Sequence, residues 1–182
     1  ALVVCNADSK TGLSFSPAAT ARLTSTKVPF TEGQNYFTME WWMRANALTA
    51  KCNGIGESTS TFQIQTEPTG QMVVYIKGKS AKSVEGYVIP NEWHHYAVTY
   101  YMGMVIFYRD GQMINRGGMN ANALPALKTF CFGSDDAPMC GTIDEFRVWD
   151  KDLEVGTIRG YITEPMDAAK VNAAEAEGLK LY

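Results

Sequence analysis

Between residues 91 and 114 the side chains alternate with a period of two on either side of an Asp-Gly pair, a pattern that strands satisfy and a helix does not. The first run is Asn91-Glu92-Trp93-His94-His95-Tyr96-Ala97-Val98-Thr99-Tyr100, and the second extends from Val105 to Ile114. In a strand, Trp93, His95, Ala97 and Thr99 take one face and His94, Tyr96, Val98 and Tyr100 the other. Asp110-Gly111 supplies the two positive-φ positions of a type I′ hairpin, so three antiparallel strands are predicted here.

Further strands are predicted over Leu13–Ser16, Thr20–Lys27 and, most strongly, Tyr36–Arg44, where Phe37, Met39, Trp41 and Met43 form an apolar face opposite a mixed one. The Gly-, Ser- and Thr-punctuated stretch Asn46–Ser60 reads as a long loop. Beyond it, strands are expected over Thr61–Thr66, Gln71–Lys77 and Ser83–Val88, with turns at Pro68-Thr69-Gly70 and Gly78-Lys79-Ser80. A loop over Gly117–Ala126, a strand around Cys131, a Ser134–Pro138 turn and a strand over Gly141–Trp149 follow. Two short helices complete the reading. In one, begun by Asp152, Leu153, Ile158 and Ile162 face the sheet; the other spans Asp167–Glu177, capped by Asp167 and stopped by Gly178 ahead of a strand at Leu179–Tyr182. Strands at such even spacing argue for a sandwich.

At 182 residues the chain is large enough to bury roughly 70% of its unfolded surface in one core, so we expect a single sandwich domain over 1–182. No apolar run approaches a membrane span, and a net charge of −3 without a basic cluster argues against nucleic acid as a partner. The chain starts at Ala1 and ends on a strand, which leads us to expect flanking domains of the same polypeptide.

Of Cys5, Cys52, Cys131 and Cys140, the alternation in Phe130-Cys131-Phe132 and Met139-Cys140-Gly141 places the last two sulfurs on the same outer side of what read as adjacent strands. A Cys131–Cys140 bond would contribute roughly 2–3 kcal/mol; two reduced thiols are the alternative. No C-x-x-C spacing suggests zinc or thioredoxin-like chemistry.

The Trp93-His94-His95-Tyr96-Ala97-Val98-Thr99 strand, the Tyr108-Arg109-Asp110-Gly111 hairpin and the Gly141-Thr142-Ile143-Asp144-Glu145-Phe146-Arg147 strand, in that order, resemble the laminin G-like, concanavalin A-like lectin and glucanase family. The likeness spans Leu13 to Ile162, with 163–182 as a closing segment or the start of a linker. It implies an all-β, two-sheet antiparallel jelly-roll sandwich with one or two short helices. The implied function is non-catalytic carbohydrate binding, lectin-like, in a secreted or cell-surface, extracytoplasmic protein. A protein-interaction or spacer domain is the alternative, and a glycoside hydrolase with an unfamiliar site a minor one.

Candidate site residues follow from chemistry. A sugar stacks its C–H face on an aromatic plane while its hydroxyls need fixed polar partners, which nominates Trp42 with Glu40 and Arg44 on one strand face, and Tyr75 with Lys77 on another strand. Inter-sheet packing is the structural alternative for Trp42, and Trp41, Trp93 and Trp149 read as core. Calcium is implied as a possible rim ligand, with Asp144 matched by motif and Asp135 and Asp136 in the neighbouring turn. His94 and His95 project to opposite faces and read as structural. The glucanase pattern of alternating carboxylates about 5.5 Å apart is absent, since Asp144 and Glu145 are neighbours and Glu40 stands alone.

Overall fold

The structure is a computed structural model that describes residues 13–15 and 22–182. The strands are β1 (Leu13–Phe15), β2 (Leu23–Ser25), β3 (Tyr36–Ala45), β4 (Cys52–Gly56), β5 (Phe62–Thr66), β6 (Met72–Ile76), β7 (Lys79–Lys82), β8 (His94–Tyr101), β9 (Met104–Arg109), β10 (Gln112–Gly118), β11 (Phe130–Phe132) and β12 (Gly141–Trp149). Helices α1 (Val155–Ile162) and α2 (Ala168–Ala176) lead into β13 (Leu179–Leu181). Two antiparallel sheets result, one ordered β1-β12-β3-β8-β9-β10 with β13 also on β12, the other β2-β11-β4-β5-β6-β7.

The alternation read from sequence sets the core. Phe37, Met39, Trp41 and Met43 of β3 and Tyr96, Val98 and Tyr100 of β8 face Phe62 and Ile64 of β5 and Val74 and Ile76 of β6 across the sandwich. Phe30 fills the gap between Phe37 and Phe62, with ring centroids 5.0 and 4.9 Å away. Asp110 and Gly111 take positive φ as the type I′ turn requires, and Arg159 of α1 donates to the Gly111 carbonyl at 2.7 Å. A Cβ on Gly111 would lie 2.7 Å from Arg159 Cγ and 2.9 Å from Ile162 Cδ1, so this glycine also lets the helix sit on the hairpin.

Four expectations need correction. The presumed loop Asn46–Ser60 contains β4, because Gly56 at φ 127° is a strand residue pairing with Gln63 rather than a turn. Ser83–Val88 is not a strand. Its backbone groups turn back to Met72 and Gly70, Gly86 has φ 68°, and β7 lies earlier, after a Lys77-Gly78 turn. Trp93 lies outside the core, 44% exposed just before β8 begins. The Cys131–Cys140 pairing fails because β11 and β12 are not the adjacent strands the alternation implied: Cys131 lies among Thr24, Thr129 and Arg22, while the neighbour of Cys140 is Cys52. Cys5 and parts of the first two predicted strands lie outside the described residues.

The C-terminal segment is an integral layer. Helix α1 starts at Val155 without a side-chain cap, whereas Asp167 caps α2 by accepting the Lys170 N–H. Ile158 of α1 packs on Ala97 and Tyr108, on the outward face of the larger sheet. Met166, Ala174 and Leu179 close over Trp149 as a second small core.

Candidate functional site

The outward face of the larger sheet is built by alternate residues of β3, β8 and β12, and its centre is sealed. A register shift between Asp144 and Arg147, with Glu145 at φ 50°, inserts one extra residue into β12 and brings Arg147 opposite Glu40. Glu40 is 0% exposed and accepts from Trp149 Nε1 at 2.9 Å; Arg147 Nη1 lies 3.6 Å from it and His95 Nε2 3.4 Å. Arg147 also donates to Glu145 at 2.5 Å and to the carbonyls of Tyr161 and Glu164 at 3.0 Å each. Its guanidinium lies over the rings of Tyr161 and Tyr182. Tyr182 Oη sits 2.9 Å from both Glu145 oxygens, and burial, followed by that carboxylate, pushes its phenol up to about 12.

Glu40, nominated as a ligand contact, is fully buried here, its carboxylate turned to Trp149, Arg147 and His95. Trp42 is half-buried, its Nε1 donating to the Ile162 carbonyl at 3.2 Å, so it satisfies the end of α1 rather than presenting a free face. Arg44 is exposed and donates to the Asn91 carbonyl. Tyr75 lies on the other sheet, its ring outward between Gln63 and Ser80, and Lys77 sits in the adjacent turn at φ 50°. The five nominated residues therefore divide between opposite faces of the sandwich.

The three aspartates do not fit calcium as one site. Asp135 and Asp136 are exposed, Asp135 lying 3.9 Å from Arg22, whereas Asp144 accepts the Glu145 N–H at 2.9 Å within the bulge. Among the described residues no three His, Cys, Asp or Glu side chains are grouped as a metal would need them. The histidines are separated as the period-two reading requires: His95 is buried beside Glu40 and Trp42, while His94 Nδ1 pairs with Asp110 Oδ2 at 2.7 Å.

At the far end of the same face the cover stops. Thr38 donates to the Lys151 carbonyl and accepts the Leu153 N–H, which marks the border. One register step beyond, Tyr36 pairs with Tyr101 and Tyr101 with Met104, and these side chains are 40%, 52% and 40% exposed. Met102 adjoins them in the β8–β9 turn, held at φ 46° ahead of Gly103. Two tyrosines and two methionines thus form an open apolar shelf. Sequence reasoning missed it, although Tyr36 and Thr38 share the outward set of β3; the untaken signal was Met102-Gly103 between two alternating runs.

The sequence profile of the concanavalin A-like lectin/glucanase superfamily matches residues 17–159. The chain belongs to this superfamily. Several solved structures share its fold at low identity. A Bacteroides ovatus protein described as carbohydrate-binding is 19% identical and superposes with a TM-score of 0.72 over 93% of this chain and 49% of its own. The heptameric SAP-like pentraxin of Limulus polyphemus is 11% identical, with a TM-score of 0.60 over 82% of this chain and 78% of its own. The receptor-binding domain of botulinum neurotoxin D is 15% identical, with a TM-score of 0.62 over 79% of this chain and 41% of its own. The superfamily domain described here thus spans about half the length of the Bacteroides protein. No curated protein matches the chain.

Proposed function

We propose that the chain is a non-catalytic carbohydrate-binding domain of a secreted or cell-surface multidomain protein, and that the Tyr36–Tyr101 shelf is where the glycan sits. The observation that carries this reading is the pair of exposed phenol rings on neighbouring strands of one face. Such rings offer flat apolar area for the C–H face of a pyranose and hydroxyls for its rim, at little cost in side-chain entropy. Met102 adds to it. A non-glycine residue at positive φ costs about 1 kcal/mol, and here it holds an apolar side chain in solvent, the kind of local strain that accompanies contact surfaces.

Hydrolysis finds little support in the chemistry available. Glu40 is sealed, Glu145 is paired with Arg147, and the outward residues of β5 are Gln63 and Gln65, amides that cannot serve as proton donors to a leaving group. A protein partner is the second reading, favoured by Met102 and Met104, whose flexible thioethers suit an adaptable protein interface.

A glycan panel titrated by calorimetry tests the proposal. Saturable binding is expected, lost in Tyr36→Ala and Tyr101→Ala and kept in Tyr75→Ala. Loss only in Tyr75→Ala would move the site to the other sheet, and silence across the whole panel would leave the protein-partner reading.

A further inference from the structure

We propose that Cys52 and Cys140 close to a disulfide that staples the two sheets together. Cys52 opens β4 of one sheet, and Cys140 immediately precedes β12 of the other. The backbone between them is already clamped. Asn53 donates its N–H to the Pro138 carbonyl at 2.9 Å, Gly54 donates to Ala137 at 3.0 Å, and Cys140 donates to Asn53 Oδ1 at 2.9 Å. These bonds hold 137–140 alongside 53–54, Asn53 Nδ2 lies 3.5 Å from the Cys52 sulfur, and Cys140 is near enough to bear on the ionisation of Cys52. Cys52 is buried and Cys140 half-exposed, which gives an external oxidant one accessible sulfur and one shielded partner.

Burial first, then the neighbouring Cys140, pushes the Cys52 thiol up to about 12, which makes Cys52 the resolving rather than the initiating sulfur. Cys131 has different company, with Thr24 Oγ1 and Arg22 Nη2 each 3.5 Å from its sulfur, and takes no part.

With glutathione disulfide as oxidant, the Cys140 thiolate attacks one glutathione sulfur, forming a mixed disulfide and expelling a glutathione thiolate. The Cys52 thiolate then attacks the Cys140 sulfur, forms the protein disulfide and expels the second glutathione thiolate. Two protein thiols are oxidised, one glutathione disulfide is reduced, and the two thiol protons pass to the released glutathione.

The experiment is to incubate the folded chain with a glutathione disulfide buffer, quench by alkylation in denaturant, and map peptides without reduction. A linked peptide containing Cys52 and Cys140, with Cys131 recovered alkylated, is expected, together with a melting temperature raised on the order of 10 °C because a long loop is closed in the unfolded chain. In Cys52→Ser the glutathione adduct on Cys140 should persist; the mapping of the unmutated chain does not depend on whether that variant folds. The proposal is overturned by the absence of the linked peptide, by a persistent adduct on Cys140 in the unmutated chain, or by a link from Cys140 to another cysteine.

Discussion

Strand β3 carries two very different environments on one face. At its centre Glu40 is enclosed by Arg147, His95 and Trp149, while four residues away Tyr36 stands open beside Tyr101. Both belong to the same outward set, so period-two alternation treats them alike. What separates them is the segment from residue 150 onward, which returns across the sheet and stops at Thr38. The difference teaches that a charged outward residue in a sandwich strand need not be solvent-facing. An ion cluster sealed from solvent offers no contact to a ligand, and binding surface remains only where the cover ends.

That contrast can be broken at several points. The largest effect is expected from Arg147→Ala, which leaves Glu40 and Glu145 buried without their cation: denaturant unfolding should show a loss of about 3–5 kcal/mol. Replacement at Tyr36 and Tyr101 together should do the reverse. Unfolding should shift by no more than about 1 kcal/mol, while glycan affinity falls at least about tenfold; an equal loss of stability would make the shelf structural.

A smaller, pH-dependent effect marks the border. Burial raises the Asp152 carboxyl above the ordinary range, and the neighbouring Thr99 side chain opposes that shift. A raised carboxyl favours the folded state below its unfolded pKa, and this contribution disappears as pH climbs through the folded pKa. Asp152→Asn should therefore flatten the fall in stability from pH about 4 upward and gain a few tenths of a kcal/mol at neutral pH, a figure discounted for the exposure of this side chain. Smallest of all should be chelation. With Asp135 and Asp136 remote in role from Asp144, addition of EDTA should leave the melting temperature unchanged, and a drop of several degrees would restore a calcium site.

Much of the frame was legible in the residues. The Asp110-Gly111 hairpin, the buried face of β3, the split of His94 from His95, and the Asp167 cap with the Gly178 stop all follow from local rules. The site was less so. Glu40, Trp42 and Arg44 were grouped because they share a strand face, and only bonds to residues more than a hundred positions away, such as Trp149 to Glu40 and Trp42 to Ile162, remove the first two from reach. Tyr75 and Lys77 fell to the opposite sheet for the same reason: strand order is non-local.

Alternation, turns and family motifs, and hence an antiparallel sandwich, could be read residue by residue, because they depend on backbone conformations set by a residue and its near neighbours. Packing settles which outward face is roofed, that a bulge at Glu145 turns Arg147 onto Glu40, and that Cys140 neighbours Cys52 rather than Cys131. These depend on which strands become neighbours and on where the chain returns. A period of two defines two faces for every strand, and only packing chooses which part of either stays open.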